Sequence, residues 1–413
     1  YGVMETLRGT RINWQGEEKS LLDEVDIISS VSGGSFTAAY YGLFRERLFA
    51  KQNGFEEKFL YRDIESELKG LLFNPGNWAR LASPNFGRID IASEFYNQEI
   101  FDNKTFDNLA SNGLPLIAIN ATDMSQGVPF TFDQDKFDIL CSDLGRFNVA
   151  RAVAASSNFP VAFTPLQINN YAGECGFEKP PWIKTAEDDR DFAINPRRNA
   201  RARVEWSYSN SEERPYTHLL DGGVSDNIGL RGPLTALRSV NHPWSILNKI
   251  NSGLIQKLVV IVVDAKTRPP TTIDKSASPP GTFSVLETIS VVPLDNYSFD
   301  TVDLLKKEMK SWQTARRSLW KNPQTTFTSC PSKPDNRKAS FLKPLDIYSI
   351  YVGFDQITNA EQPFGHDREW YLSLPTTFAL PDKTVDKLRD VGKYLLDTST
   401  PFNALKSCLN KSR

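Results

Sequence analysis

The residues of this chain that could do chemistry begin with a serine at the end of a short apolar run. Residues 26–31 have the character of a strand, followed by a cluster of small residues and then a segment with helical character. Hydrolases present a nucleophilic serine hydroxyl on such a strand–turn–helix. The tight turn needs small residues two positions before and after the nucleophile, and Ser32 has Ser30 and Gly34 there. Ser35 fits less well, so the sequence predicts Ser32 as nucleophile, with a plain Ser-Gly loop as the alternative.

A second cluster of small residues follows another strand-like run and starts with a carboxylate. Residues 216–220 lead into Asp221, and Gly222 and Gly223 let the backbone turn tightly beside it. A serine hydroxyl is a weak nucleophile until a positioned base takes its proton, and a carboxylate can be that base. The alternative, a hairpin turn, is disfavoured because residues 224–229 lack the alternation of a returning strand. Asp221 is therefore the predicted base.

The few histidines favour a two-residue site over a Ser-His-Asp triad. The sequence contains only His218, His242 and His366. His218 lies three residues before Asp221 in the same predicted strand, so its side chain should point to the opposite sheet face. His242 and His366 stand in turn-like sequences. A serine–aspartate dyad fits this composition better than a triad.

The strands that must position these residues alternate with helical patterns, which predicts an α/β fold with a largely parallel sheet. Strands are predicted at residues 25–29, 114–120, 160–168, 216–220 and 258–264, the last as a buried parallel strand, and a helix is predicted at residues 149–156. Ligands of such sheets bind at the carboxyl ends of strands. Ser32, Asp123 and Asp221 each follow a strand, so we expect all three at one crevice.

Composition excludes several classes of function. The chain has 413 residues, enough for one large α/β domain with an appended region or for two domains. A net charge of −2 gives no electrostatic basis for binding nucleic acid. No apolar run approaches the length of a membrane span. Four cysteines (Cys141, Cys175, Cys330 and Cys408) are too scattered for a zinc or redox motif, and their pairing stays open.

With these motifs in view, the chain resembles the patatin-like phospholipases, lipid acyl hydrolases that use a serine–aspartate dyad. The family's nucleophile elbow falls on residues 30–34 and its Asp-Gly-Gly motif on residues 221–223. Two further blocks, residues 116–123 and 150–160, are similar to family blocks and stand in the same order. The resemblance implies a patatin-like three-layer sandwich, with a mainly parallel central sheet and helices on both faces.

The same resemblance implies a phospholipase A type hydrolase that cleaves carboxylic esters of phospholipids through an acyl-serine intermediate. Ser32 would be the nucleophile, Asp221 the general base and the Gly33 N–H one donor of the oxyanion hole. Residues expected to shape the site are Gly34, Asp123, Gly222, Gly223, Ser156, Ser157, Phe159 and Pro160. No cofactor or metal is expected, and the partner is a phospholipid or other lipid ester at a membrane or micelle surface. The alternatives are a catalytically silent lipid-binding protein and a general esterase or transacylase.

The domain boundaries follow from the same blocks. We expect a catalytic domain at residues 1–265, with insertions at 44–111 and 171–215, and an extension at 266–413 packed on it. The second insertion is rich in charge and turn formers, which predicts a solvated loop. Residues 1–7 have the character of the family's first helix, so we expect its glycine-rich oxyanion loop, and any targeting segment, upstream of residue 1. The protein is expected to be soluble and peripheral to membranes, in a compartment and oligomeric state that the sequence leaves open.

Overall fold

A computed structural model describes most of the chain. The described residues are 1–14, 16–160, 163–188, 196–238, 246–252, 254–255, 257–268, 277–279, 281–321, 345–358 and 360–411. The strands are β1 (Arg11–Trp14), β2 (Glu17–Ser20), β3 (Ile27–Val31), β4 (Leu116–Asp123), β5 (Val128–Thr131), β6 (Leu166–Asn169), β7 (Tyr216–Asp221), β8 (Lys257–Asp264) and β9 (Asp346–Gly353).

Helices connect and surround these strands. They are α1 (Gly2–Gly9), α2 (Gly33–Phe44), α3 (Ile64–Phe73), α4 (Pro75–Leu81), α5 (Arg88–Glu99), α6 (Phe106–Ser111), α7 (Gln134–Ile139), α8 (Val149–Ser156), α9 (Pro181–Asp188), α10 (Pro196–Ser207), α11 (Gly223–Asp226), α12 (Arg231–Arg238), α13 (Ile246–Asn251), α14 (Thr282–Lys321), α15 (Arg368–Leu372), α16 (Asp382–Thr398) and α17 (Thr400–Lys411). The predicted α/β class is confirmed.

The central sheet has the order β3-β4-β7-β6, with β5 paired to β4. Strands β3 and β4 are parallel, whereas β5 and β7 run antiparallel to β4 and β6 runs antiparallel to β7. Helices α2 and α8 pack on β4, and α11 also contacts it. The helix predicted at residues 149–156 matches α8, and the helical character of residues 1–7 matches α1.

A second sheet lies in the C-terminal half of the described chain. Strands β8 and β9 pair in parallel from Lys257 opposite Asp346 to Asp264 opposite Gly353. The parallel strand predicted at residues 258–264 is confirmed. The prediction that this strand is buried is wrong, because Val259 and Val263 are exposed. Its other face packs against α12 and α14, which form one apolar cluster with Val262. One face of β8 is therefore covered, whereas on the other face Ile261 packs against the main core and Val259 and Val263 are exposed.

The predicted extension packs on the rest of the chain through several contacts. Helix α16 lies against α1, and its Arg389 forms ion pairs with Glu5 and Glu56. Phe378 packs edge-on against Phe36 of α2, at a ring distance of 5.6 Å. The boundary at residue 265 stays a prediction, since β8 and β9 pair across it.

Both predicted insertions are largely helical. The first contains α3 to α6, and the second contains α9 and α10, with residues 189–195 outside the described residues. The prediction of a solvated loop for residues 171–215 is wrong, because α9 and α10 bury Ile183, Ala186 and Ala202 against each other. A disulfide between Cys141 and Cys175 resolves one pairing that the sequence left open. Cys330 lies outside the described residues.

Candidate active site

The predicted nucleophile stands at a sharp turn between β3 and α2. Ser32 has φ 50° and ψ −134°, a backbone conformation that residues other than glycine rarely adopt. Holding a residue there costs about 1–3 kcal/mol, and such strain is concentrated at functional sites. The strand–turn–helix expected from the sequence is therefore present, with its serine at the strained position.

The predicted base lies within hydrogen-bonding distance of this serine. The Oγ of Ser32 donates to Oδ2 of Asp221 at 2.8 Å, although the two residues are 189 positions apart in the sequence. The other carboxylate oxygen accepts the backbone N–H of Gly223 at 2.7 Å. One oxygen is thus fixed by the turn that follows the strand, and the second is aimed at the hydroxyl.

Burial makes this carboxylate a better proton acceptor than an ordinary aspartate. Asp221 is only 5% exposed. Desolvation raises its pKa to about 6, and the hydrogen bonds from Gly223 and Ser32 offset that rise only in part. A base with a pKa of about 6 is still ionised at neutral pH and accepts a proton more readily than an exposed carboxylate does.

Strand register explains why the two side chains meet. The last residue of β3, Val31, pairs with Asn120 of β4 in the parallel direction. The last residue of β7, Asp221, pairs with Ala121 of β4 in the antiparallel direction. The ends of β3 and β7 therefore lie on opposite sides of β4 at neighbouring register positions, and the turns that follow them converge.

Ser156, at the end of α8, connects these two turns through its backbone carbonyl. The Ser32 N–H donates to both the carbonyl oxygen (3.1 Å) and the hydroxyl (3.0 Å) of Ser156. The same carbonyl accepts the N–H of Gly222 at 3.0 Å. The hydroxyl also donates to the Asn120 carbonyl at 2.6 Å and lies 2.8 Å from the hydroxyl of Ser35. Ser156 thus ties the nucleophile's turn to the base's turn, and its fully buried position keeps water away from these bonds.

Three neighbours hold the backbone around the base. The Asp221 N–H donates to the Asn158 carbonyl at 2.9 Å, and the Thr122 hydroxyl donates to the Asp221 carbonyl at 2.8 Å. Gly222 approaches β4 so closely that a Cβ there would overlap the Asn120 carbonyl oxygen. Glycine is therefore required at this position for steric reasons.

The Gly33 N–H, the predicted oxyanion donor, lies at the N-terminus of α2. The first N–H groups of a helix have no acceptor within the helix, and the helix dipole favours negative charge there. Gly33 and Gly34 are exposed, and a Cβ built on either would meet none of the described residues within 4 Å. The described residues therefore leave the start of α2 beside Ser32 uncrowded.

Asp123 is buried elsewhere. Its carboxylate accepts hydrogen bonds from the Tyr208 hydroxyl and from Ser125, and it forms an ion pair with Arg214. Burial alone would raise the pKa of Asp123, but these partners outweigh it and hold the pKa below its ordinary value. Since β4 and β7 are antiparallel, Asp123 pairs with Leu219 and lies two residues beyond the position next to Asp221. The structure does not bring it to the dyad.

The other expected residues lie close to the dyad in sequence or space but contact it indirectly. The Ser157 hydroxyl donates to the Val153 carbonyl at the end of α8. Phe159 and Pro160 are half-buried in the following loop. Neither described histidine takes part, since His218 is exposed on β7 and His366 stacks on Trp370 at 3.6 Å. His242 lies outside the described residues.

Sequence reasoning missed the residues that hold the site together. Asn120, Thr122 and Asn158 were not singled out, although their backbone or side-chain groups position the base. All three lie in the two blocks similar to the patatin-like family, which was the one available signal. Polar residues inside otherwise apolar strands and helices are such a signal, because burial obliges them to find partners.

An α/β fold with a strand–turn–helix that presents a serine defines the class of this protein. A model of the patatin-like phospholipase family matches residues 2–234, more than half of the chain. The chain belongs to the patatin-like phospholipase family, which supports acyl hydrolysis of lipids as its activity at the level of the family. A comparison with curated proteins gave no significant match. In the described part of the chain, none of the helices has both the length and the apolar composition needed to cross a membrane.

Proposed function

We propose that this protein is a phospholipase A type acyl hydrolase in which Ser32 is the nucleophile and Asp221 the general base. The observation that carries the proposal is the 2.8 Å hydrogen bond from the Ser32 hydroxyl to a buried carboxylate whose pKa is raised to about 6. Family membership supports a lipid ester as the substrate.

The reaction starts when a substrate ester carbonyl enters beside Gly33 and Gly34 at the start of α2. Asp221 takes the proton from Ser32 while Oγ forms a bond to the carbonyl carbon, and the carbonyl becomes a tetrahedral oxyanion. The proton then passes from Asp221 to the departing alkoxide, which leaves as the lysolipid. An ester between Ser32 and the acyl chain remains.

Water completes the cycle. Asp221, ionised again, accepts a proton from a water molecule that attacks the acyl-serine carbonyl. The second tetrahedral intermediate collapses, the proton returns to Ser32, and the fatty acid is released. Donors at the α2 N-terminus stabilise the oxyanion in both steps, and one such donor is worth on the order of a hundredfold or more in rate.

Ser35, the other serine considered as nucleophile, is not suited to this role. Ser35 is fully buried, and its hydroxyl lies within 3.1 Å of the Ser30 hydroxyl and 2.8 Å of the Ser156 hydroxyl. A substrate carbonyl would have no access to it. The geometry supports Ser32, in agreement with the sequence-based choice.

Substitution of each dyad member tests the proposal. Ser32→Ala and Asp221→Asn should each lower kcat/KM for a soluble p-nitrophenyl ester, and for phosphatidylcholine, by about a thousandfold or more. Ser157→Ala is the matched control, since its hydroxyl bonds only to a helix carbonyl, and it should stay within about threefold of the parent. Circular dichroism confirms that each variant is folded.

Either of two results would overturn the dyad. One is a Ser32→Ala or Asp221→Asn protein that keeps near-parental turnover. The other is a folded parent protein that hydrolyses no carboxylic ester, which would favour the silent lipid-binding alternative.

A further inference from the structure

A helical hairpin in the first insertion exposes two large aromatic side chains to solvent. It is formed by the end of α3, α4 and the loop to α5, residues 70–87, here called the apolar hairpin. Phe73 is 76% exposed and Trp78 58% exposed. Helix α4 buries none of its residues, and α3 buries only Ile64 and Leu68 near its start. The tip therefore has no core of its own.

The apolar hairpin is almost free of charge. Charged residues make up 24% of the chain, but Arg80 is the only one in residues 70–87. Its guanidinium forms an ion pair with Glu94 and lies 4.0 Å from the centre of the Phe86 ring. Lys69 and Arg88, both exposed, flank the stretch, and Lys69 forms an ion pair with Glu65.

The near absence of charge at the tip suits a lipid surface. An apolar tip with exposed Trp and Phe fits the boundary between headgroups and acyl chains, where such rings concentrate. The neighbouring site is proposed to act on lipid esters, which makes a bilayer the surface that this tip fits.

Internal hydrogen bonds hold the tip in shape. The Trp78 indole N–H donates to the Leu72 carbonyl at 3.2 Å, and the Asn77 side chain donates to the Leu71 carbonyl at 2.9 Å. The Trp78 ring can therefore enter an apolar layer without leaving its N–H unpaired, which would be costly there. Hydrogen bonds within the hairpin therefore hold the segment that carries the aromatic rings.

Both ends of this insertion segment are anchored beside the candidate active site. On one side, Phe59 stacks at 4.3 Å on Phe36, which lies in α2 four residues after the nucleophile. On the other side, Gly87 lies against Thr164, whose carbonyl accepts a hydrogen bond from the Asn158 side chain. The Asn158 carbonyl in turn holds the backbone of the base.

From these observations we propose that the apolar hairpin docks on a phospholipid bilayer and brings the Ser32–Asp221 cleft to lipid in that bilayer. The inference rests on the proposed lipid hydrolysis for its purpose, but the docking step needs no turnover. Docking would insert Phe73 and Trp78 below the headgroups.

Vesicle binding by an inactive protein tests the docking step separately from catalysis. The full chain with Ser32→Ala is mixed with sedimentable vesicles of phosphatidylcholine, alone or with added phosphatidylglycerol. Adding Phe73→Ser and Trp78→Ser should weaken binding to both by roughly 30-fold or more, because two apolar side chains are no longer buried in lipid. Phe299→Ser is the matched control, since Phe299 is a 67% exposed aromatic on α14, and it should bind as the Ser32→Ala parent does.

A second assay separates this proposal from the proposed function. With Ser32 intact, the Phe73→Ser/Trp78→Ser protein should hydrolyse a soluble p-nitrophenyl ester at the parental rate. It should lose turnover of phosphatidylcholine in vesicles. Equal vesicle binding with and without the two aromatics, or no vesicle binding by the parent, overturns docking. Absent ester turnover in every protein overturns the proposed function and leaves the binding result to stand on its own.

Discussion

Two buried aspartates at strand ends of one sheet have opposite surroundings. Asp123, at the end of β4, is fully buried against Arg214, Tyr208 and Ser125, and its pKa is lowered. Asp221, at the end of β7, has no cation among its hydrogen-bond partners, which are the Gly223 N–H and the Ser32 hydroxyl, and its pKa is raised to about 6.

The partners of each carboxylate, more than its place in the fold, decide how readily it accepts a proton. A carboxylate paired with a guanidinium is a poor base, because the ion pair stabilises its ionised form and lowers its pKa. Its burial then fixes β4 to the segment that carries Tyr208 and Arg214. A carboxylate that is buried without a counter-charge keeps a high proton affinity and is suited to general-base work.

The largest expected contrast is in turnover. Asp221→Asn should lower kcat/KM for a soluble ester about a thousandfold or more, since an amide cannot accept the Ser32 proton. Asp123→Asn should lower it by less than about tenfold when assayed well below its unfolding temperature. Steady-state kinetics on the two purified variants measures both. Comparable losses would show that Asp123 has a role in the chemistry that its contacts do not reveal.

In stability, the order of the two variants should reverse. Asp123→Asn removes the carboxylate that pairs with the largely buried Arg214 and should cost about 2–4 kcal/mol. Asp221→Asn removes a charge that the folded state disfavours, so it should stabilise the protein by about 1–3 kcal/mol at pH 7. Because the pKa of Asp221 is raised, this gain should shrink as the pH falls from about 6 towards 4. Urea unfolding at pH 7 and pH 5 measures these differences, and a destabilised Asp221→Asn protein at pH 7 contradicts the assignment.

The Ser156 hydroxyl, which links the Ser32 turn to β4, predicts a smaller catalytic effect. Ser156→Ala removes the hydroxyl that accepts from the Ser32 N–H and donates to the Asn120 carbonyl. We expect kcat to fall by about 10–100-fold with KM changed less than about threefold, because the dyad is mispositioned while substrate contacts remain. Ser157→Ala, its neighbour, should leave both constants near parental values. A change confined to KM would place Ser156 in substrate binding.

The pH profile gives the smallest and most graded effect. Asp221 must be ionised to act as a base, so kcat/KM for a soluble ester should be constant above about pH 6. Below that value it should fall by about tenfold per pH unit. Rates measured from pH 4.5 to 8 test this expectation, and a rate that stays nearly constant down to pH 4.5 would indicate a base with an ordinary carboxyl pKa.

The sequence was most informative where a local pattern has one structural solution. The small residues around Ser32 and the two glycines after Asp221 predicted the two turns, and the structure has both. The helix at residues 149–156 was predicted with its observed bounds, because its alanine-rich sequence ends at a Ser-Ser-Asn cluster that favours a helix stop.

Long-range pairing could not be predicted in this way. The antiparallel direction of β7 against β4 depends on tertiary contacts, and this direction moves Asp123 away from the dyad. Charged residues in the second insertion indicated a loop, but Lys136 pairs with Glu205 and packs under the Tyr208 ring, so these charges have partners from distant segments. Local sequence carries no information about such partners.

Fluorophosphonate labelling followed by peptide mass spectrometry tests the central claim most directly. The reagent forms a bond only with a serine hydroxyl that a neighbouring base activates. The predicted result is one adduct, on the peptide containing Ser32, that is lost in Asp221→Asn and retained in Asp123→Asn. An adduct on a different serine, or equal labelling of Ser32 without the Asp221 carboxylate, would contradict the account.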